Sequence, residues 1–123
     1  MEVPKETASQ QKTQAAIQQL KLLKERMYCG DVSKARRAAH NLSWMQEDGL
    51  EIFREALLSN ASGATKNAAG YGLRHMQGRM KKAAIQLLIE AVKYPDAMTR
   101  DISKKALQMS MKNGDGKTPG NRQ

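Results

Sequence analysis

The stretch NAAGYGLRHM, residues 67–76, sets two glycines inside a segment that otherwise reads as helix. Glycine in a helix interior costs about 1 kcal/mol relative to alanine, so Gly70 and Gly72 need a reason. Small residues are useful where helix axes must approach more closely than the roughly 8–10 Å set by ordinary side chains. The glycines therefore predict a helix wedged between neighbours, with dispersion over many close contacts offsetting the lost propensity. Ala38, Ala39 and Ala69 belong to the same set.

Outward from that segment, apolar residues recur at helical spacing and no strand alternation is sustained. A first helix covers about 11–28, with Ala16, Leu20, Leu23 and Met27 on one stripe. Gly30 ends it, and Asp31 caps a second helix that reaches about Met45. Asp48 reads as the cap of a third, with Glu51 as its capping-box partner, and Ile52, Phe53, Ala56 and Leu57 as its apolar side. Ser62 caps the fourth, and Gly78 separates it from a fifth running to about Lys93. Tyr94-Pro95-Asp96 stops that helix and caps a sixth, which ends near Met111. In the fifth helix Met80, Ala84, Leu87, Leu88 and Ala91 form one stripe, and Ile85, Ile89 and Val92 a second. So wide an apolar arc predicts neighbours on more than one side.

The segments also repeat. Laying 35–45 over 66–76 pairs Ala38 with Ala69, Leu42 with Leu73 and Met45 with Met76. A weaker copy at 100–111 pairs Leu107 with Leu73. Repeats of thirty-odd residues built from helix pairs are the mark of a helical solenoid. The recurring pattern is a basic residue, two small ones, then a small-Leu pair. It runs Arg36, Ala38, Ala39, Asn41, Leu42; then Lys66, Ala69, Gly70, Gly72, Leu73; then Arg100, Ser103, Lys104, Ala106, Leu107. This closely resembles HEAT-like repeats of the short kind found in phycobilin-lyase-type proteins, over about residues 31–111. Asn41, Gly72 and Lys104 depart from it where alanine is usual. The resemblance implies a fold and almost nothing about activity, because packing defines the family.

The expected fold is thus all-α: a short α-solenoid of antiparallel helix pairs with about six helices. It occupies residues 11–111, between a flexible segment at 1–10 and a flexible tail at 112–123. Aromatic residues are only 4% of the chain, so Ala, Leu, Ile and Met must build the core. Met45, Met76, Met80 and Met109 are read as core filler. A single cysteine, Cys29, rules out an intrachain disulfide, and inert burial is its expected role. No apolar leader and no spanning apolar run is visible, which predicts a cytoplasmic protein away from the membrane.

Lys and Arg number 21 against 12 Asp and Glu, giving a formal charge of +9. Such an excess attracts anionic partners and says nothing of fold. His40 and His75 lack a Cys or carboxylate cluster at ligand spacing, so solvent-edge or packing roles are expected. Trp44 with Asp48 is similar to a pairing in HEAT-like alkylpurine DNA glycosylases. Those are longer arrays with several aromatics, and here Trp44 is expected to close one end of the core. Catalytic triads and phosphate loops are absent. The sequence predicts no enzyme, no cofactor and no metal.

The resulting expectation is an adaptor or scaffold that engages a partner macromolecule. Lys21, Lys24, Arg54, Lys81 and Lys82 are candidates on a shallow concave side formed by the first, third and fifth helices. The alternative is nucleic-acid or ribonucleoprotein binding through phosphate contacts of a basic ridge. That ridge would comprise Arg74, His75, Arg79, Lys81 and Lys82 at one joint and Lys104 and Lys105 in the last helix. Self-association through an uncovered apolar flank is a third reading.

Overall fold

The computed structural model describes residues 13–115, with side chains described as far as Met111. It contains α1 (Gln14–Met27), α2 (Val32–Leu42), α3 (Gln46–Leu58), α4 (Gly63–Arg74), α5 (Arg79–Ala91) and α6 (Ala97–Asp115). No strand occurs among the described residues, and no helix there is long and apolar enough to cross a membrane. Both terminal segments expected to be flexible fall largely outside this range. Helix α6 continues to Asp115, past Met111 where the sequence reading ended it.

Local chemistry explains most helix starts. Asp31 accepts the Lys34 N–H at 2.9 Å, Ser62 that of Thr65 at 3.3 Å, and Asp96 that of Thr99 at 2.9 Å, each satisfying a donor the helix cannot. Thr13 caps α1 through the Ala16 N–H, so this helix begins at Gln14 rather than 11. Asp48 does not cap α3. A tight turn closes through Met45 N–H to the Leu42 carbonyl at 2.9 Å, which ends α2 at Leu42 and lets α3 start at Gln46. Glu47 and Asp48 thus lie in the first turn of α3, where negative charge suits the helix dipole.

The helices pair as hairpins α1/α2, α3/α4 and α5/α6 and fall into two layers. Helix α4 packs between α2 and α6 in one layer. The other layer holds α3 against α5, while α1 rests chiefly on α2 and also reaches α4. This arrangement is compatible with a solenoid. Helix α4 touches each of the other five, and it is the helix that carries the two glycines.

Their geometry answers the opening question twice. A Cβ added at Gly70 would sit 3.1 Å from Ile102 Cγ2 and 3.6 Å from Ala106 Cβ, both in α6. A Cβ at Gly72 would overlap the Phe53 ring of α3, with Cε1 at 2.6 Å and Cε2 at 2.8 Å. Gly70 therefore serves the packing of α4 within its layer, and Gly72 the packing between layers. Ala38, Ala69 and Ser103, the repeat-equivalent small residues, are all buried. Lys104, at the position equivalent to Gly70, is exposed because no further described helix lies beyond α6.

The expected core of α3 and the first stripe of α5 are buried throughout. The second stripe of α5 is not: Ile85, Ile89 and Val92 are half-exposed, since α3, α4 and α6 cover only one side of the helix. Met76 and Met80 fill the core, Met45 packs at its margin, and Met109 is exposed on α6.

Side-chain to backbone hydrogen bonds lock the hairpins together. Thr65 donates to the carbonyl of Met27, the last residue of α1, at 3.1 Å. Thr99 Oγ1, 34 residues on in the next hairpin, lies 2.8 Å from the carbonyl of Leu57 near the end of α3 and 2.9 Å from the Asp96 carboxylate, and these two acceptors share its one proton. Lys66 is only 2% exposed, and its ammonium donates to Leu57 O (2.8 Å), Ser59 O (2.6 Å) and Thr99 Oγ1 (2.9 Å). All three of its protons thus find acceptors: two are carbonyls at the C-terminus of α3, the end where positive charge is favoured, and the third is the Thr99 hydroxyl in the first turn of α6. Burial pushes the Lys66 ammonium below its ordinary value, and the Asp96 charge opposes that shift. Arg100, its equivalent in the third copy, likewise donates to Tyr94 O and Pro95 O beyond α5.

Candidate functional site

The two layers distribute charge differently. In the α1/α3/α5 layer three of the candidate cations are tied to acids. Lys24 pairs with Glu55 at 3.0 Å, joining α1 to α3, and Arg54 reaches Glu90 at 3.5 Å, joining α3 to α5. Arg79 grips both carboxylate oxygens of Glu47 and the Gln46 side chain. Those hydrogen bonds hold the Glu47 carboxyl below its usual range. Lys21 and Lys82 are exposed and Lys81 is half-buried.

Helices α2 and α4 contain no acid, and the described side chains of α6 include only Asp101. Against that stand Lys34, Arg36, Arg37, Arg74, Lys104 and Lys105. Among the described residues no carboxylate comes within ion-pair distance of any of these six.

Tyr71 organises the middle of this layer. The Arg36 guanidinium of α2 lies 4.8 Å from its ring centroid and that of Arg74 5.3 Å. The His75 ring lies 4.3 Å away, tilted by 40°, and His40 meets His75 edge-on at 5.6 Å. Positive groups are attracted to the ring's negative face, which holds the two arginines in place. The Nδ1 atom of His75 lies 2.8 Å from the Tyr71 carbonyl. A carbonyl only accepts, so Nδ1 carries a proton and Nε2 is the ring nitrogen left for other contacts.

Beside Tyr71 a groove of about 360 Å³ follows α4 between α2 and α6. Its floor includes Ala64, Ala68, Gly70 and Ala106, its walls Val32, Ile102 and Met109, and its rim Arg36, Arg74 and Lys105. The groove exists because α4 carries small residues where α2 and α6 stand on either side of it.

The structure therefore brings Arg74, His75 and Lys105 to one surface. It leaves Lys21, Lys24, Arg54, Lys81 and Lys82 on the other layer and Arg79 in an ion pair at its edge. Sequence reasoning missed Tyr71 and Arg36 as partners. The available signal was Tyr71 three residues before Arg74 and four before His75, a spacing that shares one helix face. Two expectations are corrected. Trp44 is 66% exposed and closes no core, because α2 ends at Leu42 and the following turn carries it outward. Cys29 is exposed in the α1–α2 turn, its sulfur accepting the Asp31 N–H at 3.4 Å.

Among the described residues no three His, Cys, Asp or Glu side chains are grouped to hold a metal. Compared with protein-family models, curated proteins and solved structures, the chain matches none. Function must be read from the surface itself.

Proposed function

We propose that this chain is a non-enzymatic helical scaffold, HEAT-like in its repeats, that binds an anionic macromolecular partner across the α2/α4/α6 layer. One observation carries the reading: Lys34, Arg36, Arg37, Arg74, Lys104 and Lys105 of that layer have no described carboxylate partner, whereas the helices opposite carry six acids against seven cations and tie three of those cations into ion pairs. Cations without acids repel one another, and only Arg36 and Arg74 offset this in part through Tyr71, so an external anion is what complements them. Arginines stacked on Tyr71 keep their N–H edges free for two-point contacts with carboxylate or phosphate. A cytoplasmic setting accords with the reading.

The test is capture of partners from lysate with and without nuclease. It compares the parent with Arg36→Glu/Arg74→Glu and with Lys24→Glu/Arg54→Glu. The reading expects the first pair to lose the captured partner and the second to retain it. Equal capture by all three would remove the assignment to this layer. Loss of capture on nuclease treatment alone would identify the partner as nucleic acid, held through its phosphates.

A further inference from the structure

Resting on that reading, we infer that the groove along α4 receives an acidic, amphipathic helical segment of a partner protein. The groove follows α4 from Ala64 to Arg74, about 15 Å at 1.5 Å per residue, or nearly three helical turns. Its floor of Ala68, Gly70 and Ala106 is apolar and lets another chain approach closely. Its walls carry Val32, 62% exposed, and Met109, 41% exposed. Met109 is unbranched and adapts to varied apolar shapes. Above floor and walls stand Arg36, Arg74 and Lys105.

Such a site has two requirements. The floor and walls need an apolar stripe, and the rim needs carboxylates. A single helix with leucine-like residues on one face and acids flanking them meets both, in the way an amphipathic helix fills a groove. A nucleic-acid strand meets only the second. Its bases need an open aromatic face, and the Tyr71 ring is already engaged by Arg36, Arg74 and His75. Its phosphates gain nothing from Val32, Met109 or the floor.

The experiment is fluorescence anisotropy of the full chain with a labelled peptide of about 14 residues. That peptide carries leucines at helical spacing on one face and glutamates on the other. A scrambled peptide of identical composition and a labelled oligothymidine of about 20 nucleotides are the comparison probes. The designed peptide should saturate and bind at least about tenfold more tightly than the scrambled one. Val32→Ser/Met109→Ser should weaken the designed peptide while leaving oligothymidine unchanged, and Arg36→Glu should weaken every probe. Both variants alter exposed side chains, and thermal melting by circular dichroism checks that they fold.

Equal binding of designed and scrambled peptides overturns the inference, as does tighter binding of oligothymidine or no binding of the designed peptide. If scrambled peptide or oligothymidine binds and Arg36→Glu abolishes it, the anionic-partner reading survives and only the helix-in-groove inference fails. If no probe responds to Arg36→Glu, both fail.

Discussion

The α1/α3/α5 layer and the α2/α4/α6 layer are built from the same chain with opposite uses of charge and size. The first spans its helices with ion pairs: Lys24 to Glu55, Arg54 to Glu90, Arg79 to Glu47. The second holds its helices by close approach at Gly70 and, through Gly72, fits against Phe53 of the first. Lys66, the one strongly buried cation among its described residues, is consumed internally by two carbonyls and a hydroxyl. Arg100 is likewise held by the Tyr94 and Pro95 carbonyls, and Lys34, Arg36, Arg37, Arg74, Lys104 and Lys105 have no described carboxylate within ion-pair distance. The contrast teaches that positive charge in this protein does two jobs. One set joins helices, and the other lies on a surface without described carboxylate partners.

The comparison breaks most readily at the glycines. Gly72→Leu should abolish the cooperative thermal melt, because the side chain has nowhere to go except into Phe53. Gly70→Leu should also splay or unfold the array, through Ile102 and Ala106. Gly70→Ala should be milder than Gly72→Ala, since Ile102 is a flexible side chain that yields by a few tenths of an ångström while a buried ring does not. If Gly72→Leu melts like the parent, close approach is not what the small residues provide.

Lys66→Met comes next. It keeps the apolar stem but removes the donor from two buried acceptors and one half-buried one, a loss of about 2 kcal/mol in urea unfolding. An unchanged midpoint would mean that the hairpins are not locked through this ammonium. The Asp96 cap gives a pH test. Hydrogen bonds from the Thr99 backbone and hydroxyl, in that order, hold its carboxyl below the usual range. The unfolded chain therefore takes up this proton first, so the cap's contribution is present above the ordinary carboxylate pKa and is lost as pH falls through the folded value. Asp96→Asn should flatten the acid limb of the stability profile below about pH 4. The smallest effect belongs to the exposed ion pairs. Lys24→Ala or Arg54→Ala should cost no more than about 1 kcal/mol each, and high salt should erase the difference.

What the sequence could reveal follows the range of the forces involved. The caps Asp31, Ser62 and Asp96 were legible because each bonds a backbone N–H three residues away. The buried faces of α3 and α5 were legible because helical spacing repeats within one segment. The special status of Gly70 and Gly72 was visible as a violated propensity, although the partners Ile102, Ala106 and Phe53 were not. Lys66 read as a repeat-motif base. Nothing local distinguishes a lysine that turns inward to the end of α3 from one that faces water. Trp44 failed for the same reason: a tight turn just after Leu42, not the composition of α2, decides that it faces outward. The candidate surface was half legible. Arg74, His75 and Lys105 could be named, but the grouping of Arg36 over Tyr71 needs α2 and α4 side by side.

The central claim is that the acid-free cations of the α2/α4/α6 layer serve binding while the ion-paired cations opposite serve cohesion. The most direct measurement pairs urea unfolding with capture of the nuclease-resistant partner for Arg36→Glu/Arg74→Glu and for Lys24→Glu/Arg54→Glu. The account predicts that the first pair, which loses only its contacts with the Tyr71 ring, costs no more than about 1 kcal/mol and captures nothing. It predicts that the second is less stable and captures normally. A first pair that captures the partner undiminished, or a second pair that loses it without losing stability, would contradict the account.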